Sequence, residues 1–335
     1  MANTTAKALL TNSELMVFNI LLPMISLIGF VTNFIVILSV FCYRSLRRTP
    51  AYIFVVNLAI ADIIVLIVGI PMWLVQLILA SNTTIAQAMT MCQITFGFTV
   101  FSSILSIFTL GMISYDRYNA VTRPFQYHEV MTPAKTYKCL VAVWIITLIF
   151  SLPSFVGWKA ENLLTSGDPS LIAYCVYTKT FNKEYQLILY SGAALTIVLN
   201  IILYSQLLKV AKRHAGQIEG IKSEVENSVC ESVAAHGRRR ITQRKENNLK
   251  AAKTLGIILG AMIVCWVPFL VVASVDTMKN ELYFSVFTVK FIGTISYVNS
   301  IINPIIYTYM SRDFKRAVRR ILSRKRGIDN LNSST

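Results

Sequence analysis

Seven stretches of this chain are each long and apolar enough to cross a lipid bilayer, and no other feature constrains the fold so tightly. They run at about Leu15–Cys42, Tyr52–Leu79, Met89–Ser114, Cys139–Trp158, Tyr185–Leu208, Ala251–Val275 and Tyr283–Met310. A helix needs roughly 20 predominantly apolar residues to span the hydrocarbon. Lipid offers no hydrogen bonds, so a spanning backbone must satisfy itself as a helix or as a closed barrel. These runs are too long and too continuous for the alternating segments of about ten residues that build barrel strands. Only 14% of the 335 residues are charged and 55% are hydrophobic, against about 25% charged in soluble domains. The expected fold is an all-α membrane protein: a seven-transmembrane helix bundle over 15–310, with 1–14 as a short outer segment and 311–335 as an inner tail.

Loop charge sets the orientation. With the N-terminus outside, only Lys7, Lys159, Lys179, Lys183, Lys279 and Lys290 of the 32 Lys and Arg residues stand toward the outer face. The positive-inside rule selects that arrangement: a multi-pass protein of the cell membrane, N-terminus extracellular and C-terminus cytoplasmic. The same bias accounts for the net charge of +16. No aromatic-interleaved basic domain stands outside the spans, so no nucleic-acid partner is expected, whereas a basic inner face suits anionic membrane lipids. The opening MANTTAKALLTNSE has no apolar core or cleavage-like site, and no removable signal peptide is expected. Sequons at Asn3 and Asn82 fall outside and are expected to carry glycans. Cys92 and Cys175 are the cysteines of the outer face, where a disulfide would tie a loop to the third span. The polar third inner segment, 213–248, lacks helix-period apolar positions in its middle and is expected to be flexible. After the last span, SRDFKRAVRRILSRKR puts Phe314, Val318, Ile321 and Leu322 on one face and basic residues on the other, an amphipathic helix lying on the membrane.

Polar residues within the spans narrow the function, because membrane helices seldom bury an ionisable group without a use for it. Asp62 in NLAIADIIV is the one acid deep in a span, and Asn33, Ser106, Asn299, Ser300 and Asn303 lie in the inner parts of others. Such a carboxylate needs a proton, a cation or several donors. Asp116 and Arg117 stand together at the inner end of the third span. Pro71, Pro268 and Pro304 each remove a backbone hydrogen bond and leave a place for a kink or hinge. The three histidines, His128, His214 and His236, fall in inner loops without metal-ligand spacing, so no enzyme is expected. A helical transporter or channel is the rival class. One buried acid is little for an ion path, and no inverted repeat or paired broken helices are visible.

In order along the chain, GFVTNFIVI, NLAIADIIV, MCQI followed by SYDRY, Trp144, CWVP, NSIINPIIY and Phe314 resemble the span-by-span markers of a rhodopsin-like (class A) G protein-coupled receptor, of the amine- and opsin-like kind. The resemblance covers essentially the whole chain. It implies that Asp116 holds Arg117 at rest within the Asp116-Arg117-Tyr118 triplet. On activation Arg117 would meet Tyr204 and Tyr307 as the inner ends of the fifth and sixth spans open for a heterotrimeric G protein, with arrestin as a second partner. Trp266 would relay ligand binding to the kink at Pro268, with Asn303 and Pro304 as the corresponding hinge in the seventh span. Asp62, Ser106, Asn299 and Asn303 match the family's sodium pocket, making Na+ an allosteric ion. Three positions depart from the pattern: Thr196 replaces a proline of the fifth span, Met262 replaces a phenylalanine beside Ile107, and Asn248 stands where an acid often gives Arg117 a second lock. Raised basal activity follows as an expectation, and a receptor-like protein that signals without a diffusible ligand is the alternative.

By family position the ligand pocket would be lined by Thr99, Val100, Ser103, Tyr177, Ile188, Leu189, Gly192, Trp266, Phe269, Leu270, Ala273, Gly293, Ser296 and Tyr297. Amine receptors pair their ligand with an Asp at the position of Thr99, and a buried ammonium without that carboxylate loses its charge partner. Opsins carry their Schiff-base lysine at the position of Tyr297, so no retinal imine and no covalent cofactor are expected. The largely apolar lining points to a small neutral or lipophilic ligand. Lys290, at the outer end of the seventh span, could attract an anion, although a lysine at that depth more often snorkels to the surface.

Overall fold

A computed structural model describes residues 10–47, 49–79, 84–123, 126–158, 174–225, 233–279, 283–310 and 314–321. Seven of its helices are long and apolar enough to cross a membrane: α1 (Asn12–Cys42), α2 (Pro50–Leu79), α3 (Ile85–Thr122), α4 (Pro133–Val156), α5 (Lys183–Val225), α6 (Val233–Lys279) and α7 (Val286–Met310). A short helix, α8, follows at 314–321. The starts are written locally. Thr11 with Glu14 and Thr84 with Gln87 form reciprocal capping boxes, and Thr132 caps α4 by accepting from the Lys135 backbone N–H. These side chains satisfy amides that have no partner in the first turn. Pro50 and Pro133 occupy first-turn positions, where the missing N–H costs nothing.

The helices turn their large apolar side chains outward as well as inward. Leu27 on α1, Ile149 on α4 and Val264 on α6 are each more than 60% exposed, which is tolerable only where the surrounding solvent is lipid. Inside, polar side chains act as fasteners. Asn33 on α1 donates to the Ser300 carbonyl of α7 at 2.9 Å, and Asn57 on α2 donates to Thr109 of α3 at 2.8 Å while accepting from the Trp144 indole of α4 at 2.8 Å. In α2, residues Val65–Gly69 form a π-turn just before Pro71. The Leu66 carbonyl in that turn accepts from Ser26 of α1 at 2.6 Å. At Gly29 the two helices lie so close that a Cβ would meet the Leu66 side chain at 2.8 Å.

α5 runs without the break that a proline would bring. Thr196 instead donates to the Gly192 carbonyl at 2.7 Å, and Asn200 to the Thr196 carbonyl at 2.9 Å. Ile107 and the departing Met262 are buried together in the lower core, beside Leu110 and Ile258. α8 inserts a fully buried Phe314 into the same core, where it stacks on Tyr52 with ring centroids 6.4 Å apart. Helical backbone continues through Val225 and resumes at Val233, well into the 213–248 segment read as flexible. Its residues include Ala, Gln, Glu and Lys, which lose little side-chain freedom in a helix. Asn3, Asn82 and Leu322 lie outside the described residues, as does the side chain of Asn248.

Asn57 is the most connected of the interhelical fasteners. Replacing Asn57 by Ala should lower stability by about 1–2 kcal/mol, the upper end for membrane hydrogen bonds, because the Trp144 N–H then loses its acceptor. Thermal unfolding of the purified full chain in detergent measures this; an unchanged midpoint would show that the two bonds contribute nothing.

Candidate ligand cavity and arginine switch

At one end of the bundle, Cys92 of α3 is bonded to Cys175 of the α4–α5 loop, across 83 residues of chain. This cross-link holds the segment Tyr174–Thr180 as a roof over the helices, with Val176 and Thr178 buried. Cys175 has a left-handed backbone, with φ 49°.

Beneath the roof lies an apolar cavity of about 150 Å³ between α3, α5 and α6. Thr99, Val100, Ser103, Tyr177, Ile188, Leu189, Gly192, Trp266, Phe269 and Leu270 all line it, as the sequence expectation had them. The ring of Phe96, which that expectation omits, stacks with Tyr177 at 4.7 Å and Phe181 at 4.4 Å to close the top. Among the described residues no charged side chain lines this space. A second cavity of about 30 Å³ opens toward α7, and Gly293, Ser296 and Tyr297 line this one instead. The two cavities share Thr99, Tyr177, Trp266 and Phe269 as walls. Ala273 borders neither, so its expected place in the pocket is corrected: its short side chain is buried and does not reach either space.

A larger correction concerns Lys290. It does not snorkel. It is 5% exposed, with its Nζ 4.9 Å from the centre of the Trp73 ring, 6.0 Å from that of Tyr177, and 3.5 Å from the Cys175 carbonyl. Among the described residues no carboxylate pairs with it. A desolvated cation–π contact stabilises by about 2 kcal/mol, whereas removing an ion from water costs several kcal/mol even after relaxation. The two aromatic neighbours and one long hydrogen bond therefore leave the ammonium under-compensated. Burial and the neighbouring Tyr297 hydroxyl push the Tyr177 phenol up, so it stays protonated as a donor. Thr99 and Tyr297, at positions where related receptors carry charge, are hydrogen-bonded to each other at 2.9 Å.

Trp266 also borders a third, polar chamber of about 10 Å³ that contains Asp62, Ser106, Asn299 and Ser300. Asp62 accepts from Ser300 at 2.7 Å and from Asn303 at 3.3 Å. The carboxamide oxygens of Asn299 and Asn303 are buried without hydrogen-bond partners. An oxygen-rich donor set with unsatisfied acceptors suits a small hard cation. The residues named from sequence thus converge here, joined by Ser300, whose hydroxyl reaches the carboxylate directly.

At the opposite end, Asp116 is fully buried and Arg117 is one-quarter exposed, and the two form an ion pair, with the guanidinium Nε donating at 2.8 Å. Tyr127, from the short turn Tyr127–Val130, donates to the other carboxylate oxygen at 2.8 Å. Burial and that carboxylate push its phenol up, so it remains a donor. Tyr204 packs on Gly256, where any Cβ would overlap its hydroxyl, and Tyr307 is buried with its hydroxyl unpartnered. Tyr118 packs against the lower core, and Pro268 and Pro304 lie inside α6 and α7. Arg117 therefore stands apart from both expected tyrosine partners.

Architecture and sites together define a heptahelical membrane receptor, with a roofed cavity at one end and a caged arginine at the other. Residues 32–307 match the family model of the 7 transmembrane receptor (rhodopsin family), and the chain belongs to that family. It is similar to the alpha-1A adrenergic receptor of Bos taurus, 29% identical over 334 residues that cover 92% of this chain and 68% of that protein. The Homo sapiens protein of the same name is 28% identical over 332 residues, with the same coverage. The probable G-protein coupled receptor No18 of Amphibalanus amphitrite is 28% identical over 349 residues, covering 90% of this chain and 88% of its own.

Tyr127 braces Asp116 without being part of the ion pair. Tyr127→Phe should lower the thermal midpoint by about 2–4 °C, the effect of roughly 1 kcal/mol lost from a charged hydrogen bond in a chain of this size. A scanning unfolding experiment reads it, and an unchanged midpoint would show that the hydroxyl is not holding the carboxylate.

Proposed function

We propose that this chain is a G protein-coupled receptor that binds a small, apolar-bodied molecule under the Cys92–Cys175 roof and activates a heterotrimeric G protein at the Arg117 end. The observation that supports the reading best is the position of Trp266. One indole walls the apolar cavity, the smaller cavity and the Asp62 chamber, so a ligand that displaces it alters all three. Loop charge orients the protein with the roof outside the cell and Arg117 inside.

A ligand can shift such a bundle only by binding its two states unequally. Here the resting state has Arg117 bonded to Asp116. The active state would release the guanidinium toward Tyr204 and Tyr307 and open the ends of α5 and α6. A sodium ion held by Asp62, Ser106, Asn299 and Asn303 would supply fixed positive charge there and favour the resting state. Arrestin would use the same opened end. Charge on the ligand decides between this receptor and an amine receptor, because Thr99 offers a hydroxyl already engaged by Tyr297.

Two sets of variants test the reading in guanine-nucleotide exchange with a panel of G proteins. Asp116→Asn, which weakens the hold on Arg117, should raise ligand-free exchange about fivefold or more, the low end of coupling energies of about 1–3 kcal/mol. Arg117→Ala should abolish it, and equal exchange by both variants and mock membranes would overturn the reading. In the same assay, replacing choline by sodium at constant ionic strength should suppress exchange by wild type. It should leave Asp62→Asn unaffected; equal suppression of that variant would place the cation elsewhere.

A further inference from the structure

The large cavity is lined by uncharged residues, yet the small cavity that shares four of its walls contains a buried lysine. Lys290 is held between Trp73, Tyr177 and the Cys175 carbonyl, without a carboxylate among the described residues. Two more donors line the same space. The Trp73 indole N–H is buried without a hydrogen bond, and the buried Tyr177 hydroxyl has beside it the Tyr297 hydroxyl, itself engaged with Thr99. Three donors, one of them charged, thus border one small space with few acceptors to receive them. Buried polar groups of native proteins are almost always satisfied, and a converging set that is not is a site waiting for an acceptor.

We infer that the ligand is a small carboxylate, with its negative head on Lys290 beside Tyr177 and Trp73, and its apolar body in the cavity between α3, α5 and α6. This rests on the receptor reading above and names its ligand class. It replaces the neutral ligand that the uncharged large cavity alone would favour.

Size restricts the chemistry at both ends. The small cavity, at about 30 Å³, has roughly the volume that one water occupies in the liquid, which favours a compact anionic head such as a carboxylate. The large cavity, at about 150 Å³, is the size that holds a single benzene ring in an engineered protein core. An aromatic or short aliphatic acid fits the pair; a long-chain fatty acid overfills it. The two spaces meet at Thr99, Tyr177, Trp266 and Phe269. A carboxylate on Lys290 therefore brings its first carbons against Trp266, the residue that also borders the Asp62 chamber.

The remaining alternative is that Lys290 serves packing alone, through its ring contacts. The two roles differ in what happens when the charge is removed. A lysine kept for an anion is a liability in the empty receptor, so Lys290→Met, which preserves length and volume, should raise the ligand-free unfolding midpoint. A lysine kept for packing should lower it.

The test is thermal unfolding and equilibrium dialysis on the purified full chain in nanodiscs, at constant sodium. The probes are benzoate, phenylacetate, butyrate and hexanoate, each against its neutral amide. The acids should raise the midpoint of wild type by a few degrees at millimolar concentration and the amides should not. Lys290→Met should lose the response by tenfold or more in apparent affinity, and Lys290→Arg should retain part of it. The inference is overturned if no acid binds, if acids and amides act alike, or if Lys290→Met binds acids as wild type does. Binding is read without a G protein, so failure here leaves the exchange results standing, and acid binding without exchange would count against the receptor reading instead.

Discussion

Exclusion of water from between the helices is the constraint on which everything else in this molecule depends. In a soluble protein an unpaired amide can turn to solvent; in these spans it must find another helix. Asn33 and Asn57 do so, and in doing so set which helices are neighbours. Each such bond is modest, about 0.6 kcal/mol on average, but each also fixes a rotation about a helix axis, which greasy contacts leave free. The polar interior is therefore a register device first and a stabiliser second.

The same constraint separates structure from function within the bundle. Where polar groups are paired, as in the chain from Trp144 through Asn57 to Thr109, the helices are fastened. Some of the groups left over stand beside a cavity. Asn299 and Asn303 keep free oxygens at the Asp62 chamber, and Trp73 and Tyr177 keep free donors beside Lys290. These four groups are of opposite sense: acceptors near the centre, donors under the roof. A cation suits the first set and an anion the second, and Trp266 stands between them.

Much of this was legible in the sequence, for reasons that can be stated residue by residue. The spans follow from hydrocarbon thickness, whereas the capped starts at Thr11 and Thr84 lie before the apolar runs and are marked by local chemistry that hydropathy does not register. Asp62 and the Asp116-Arg117 pair declare themselves because charge is scarce in apolar runs. The pairing of Cys92 with Cys175 follows from topology once the loops are assigned. Of the two readings open for Lys290, the sequence favours snorkelling, because a lysine near a span end ordinarily extends to water. What prevents that here is the roof: the disulfide brings the Cys175 carbonyl and Tyr177 over the ammonium, a contact across 115 residues that no local pattern encodes. Ala273 failed in the other direction. Its position on α6 carries over from related receptors, but facing depends on how α6 is rotated against α5 and α7, and only packing decides that. The π-turn Val65–Gly69 was equally invisible, although Pro71 marked the region as one where the helix would be perturbed.

At the Arg117 end, the logic of leftovers becomes a logic of competition. Asp116 is saturated, with Arg117 on one oxygen and Tyr127 on the other, whereas the Tyr307 hydroxyl has nothing. Moving Arg117 would exchange an ion pair with Asp116 for a bond to a neutral tyrosine, in which only the donor is charged, an unfavourable trade taken alone because a buried carboxylate is left without its cation. The deficit has to be made up elsewhere, by the surface of a docking protein or by relief at the other end of the bundle. The tip of the Tyr204 side chain lies against Gly256 of α6, in space that a Cβ there would occupy. On the proposed function, moving α5 away from α6 would free that hydroxyl for Arg117, and the arginine would then capture an opening made by the helices rather than force one.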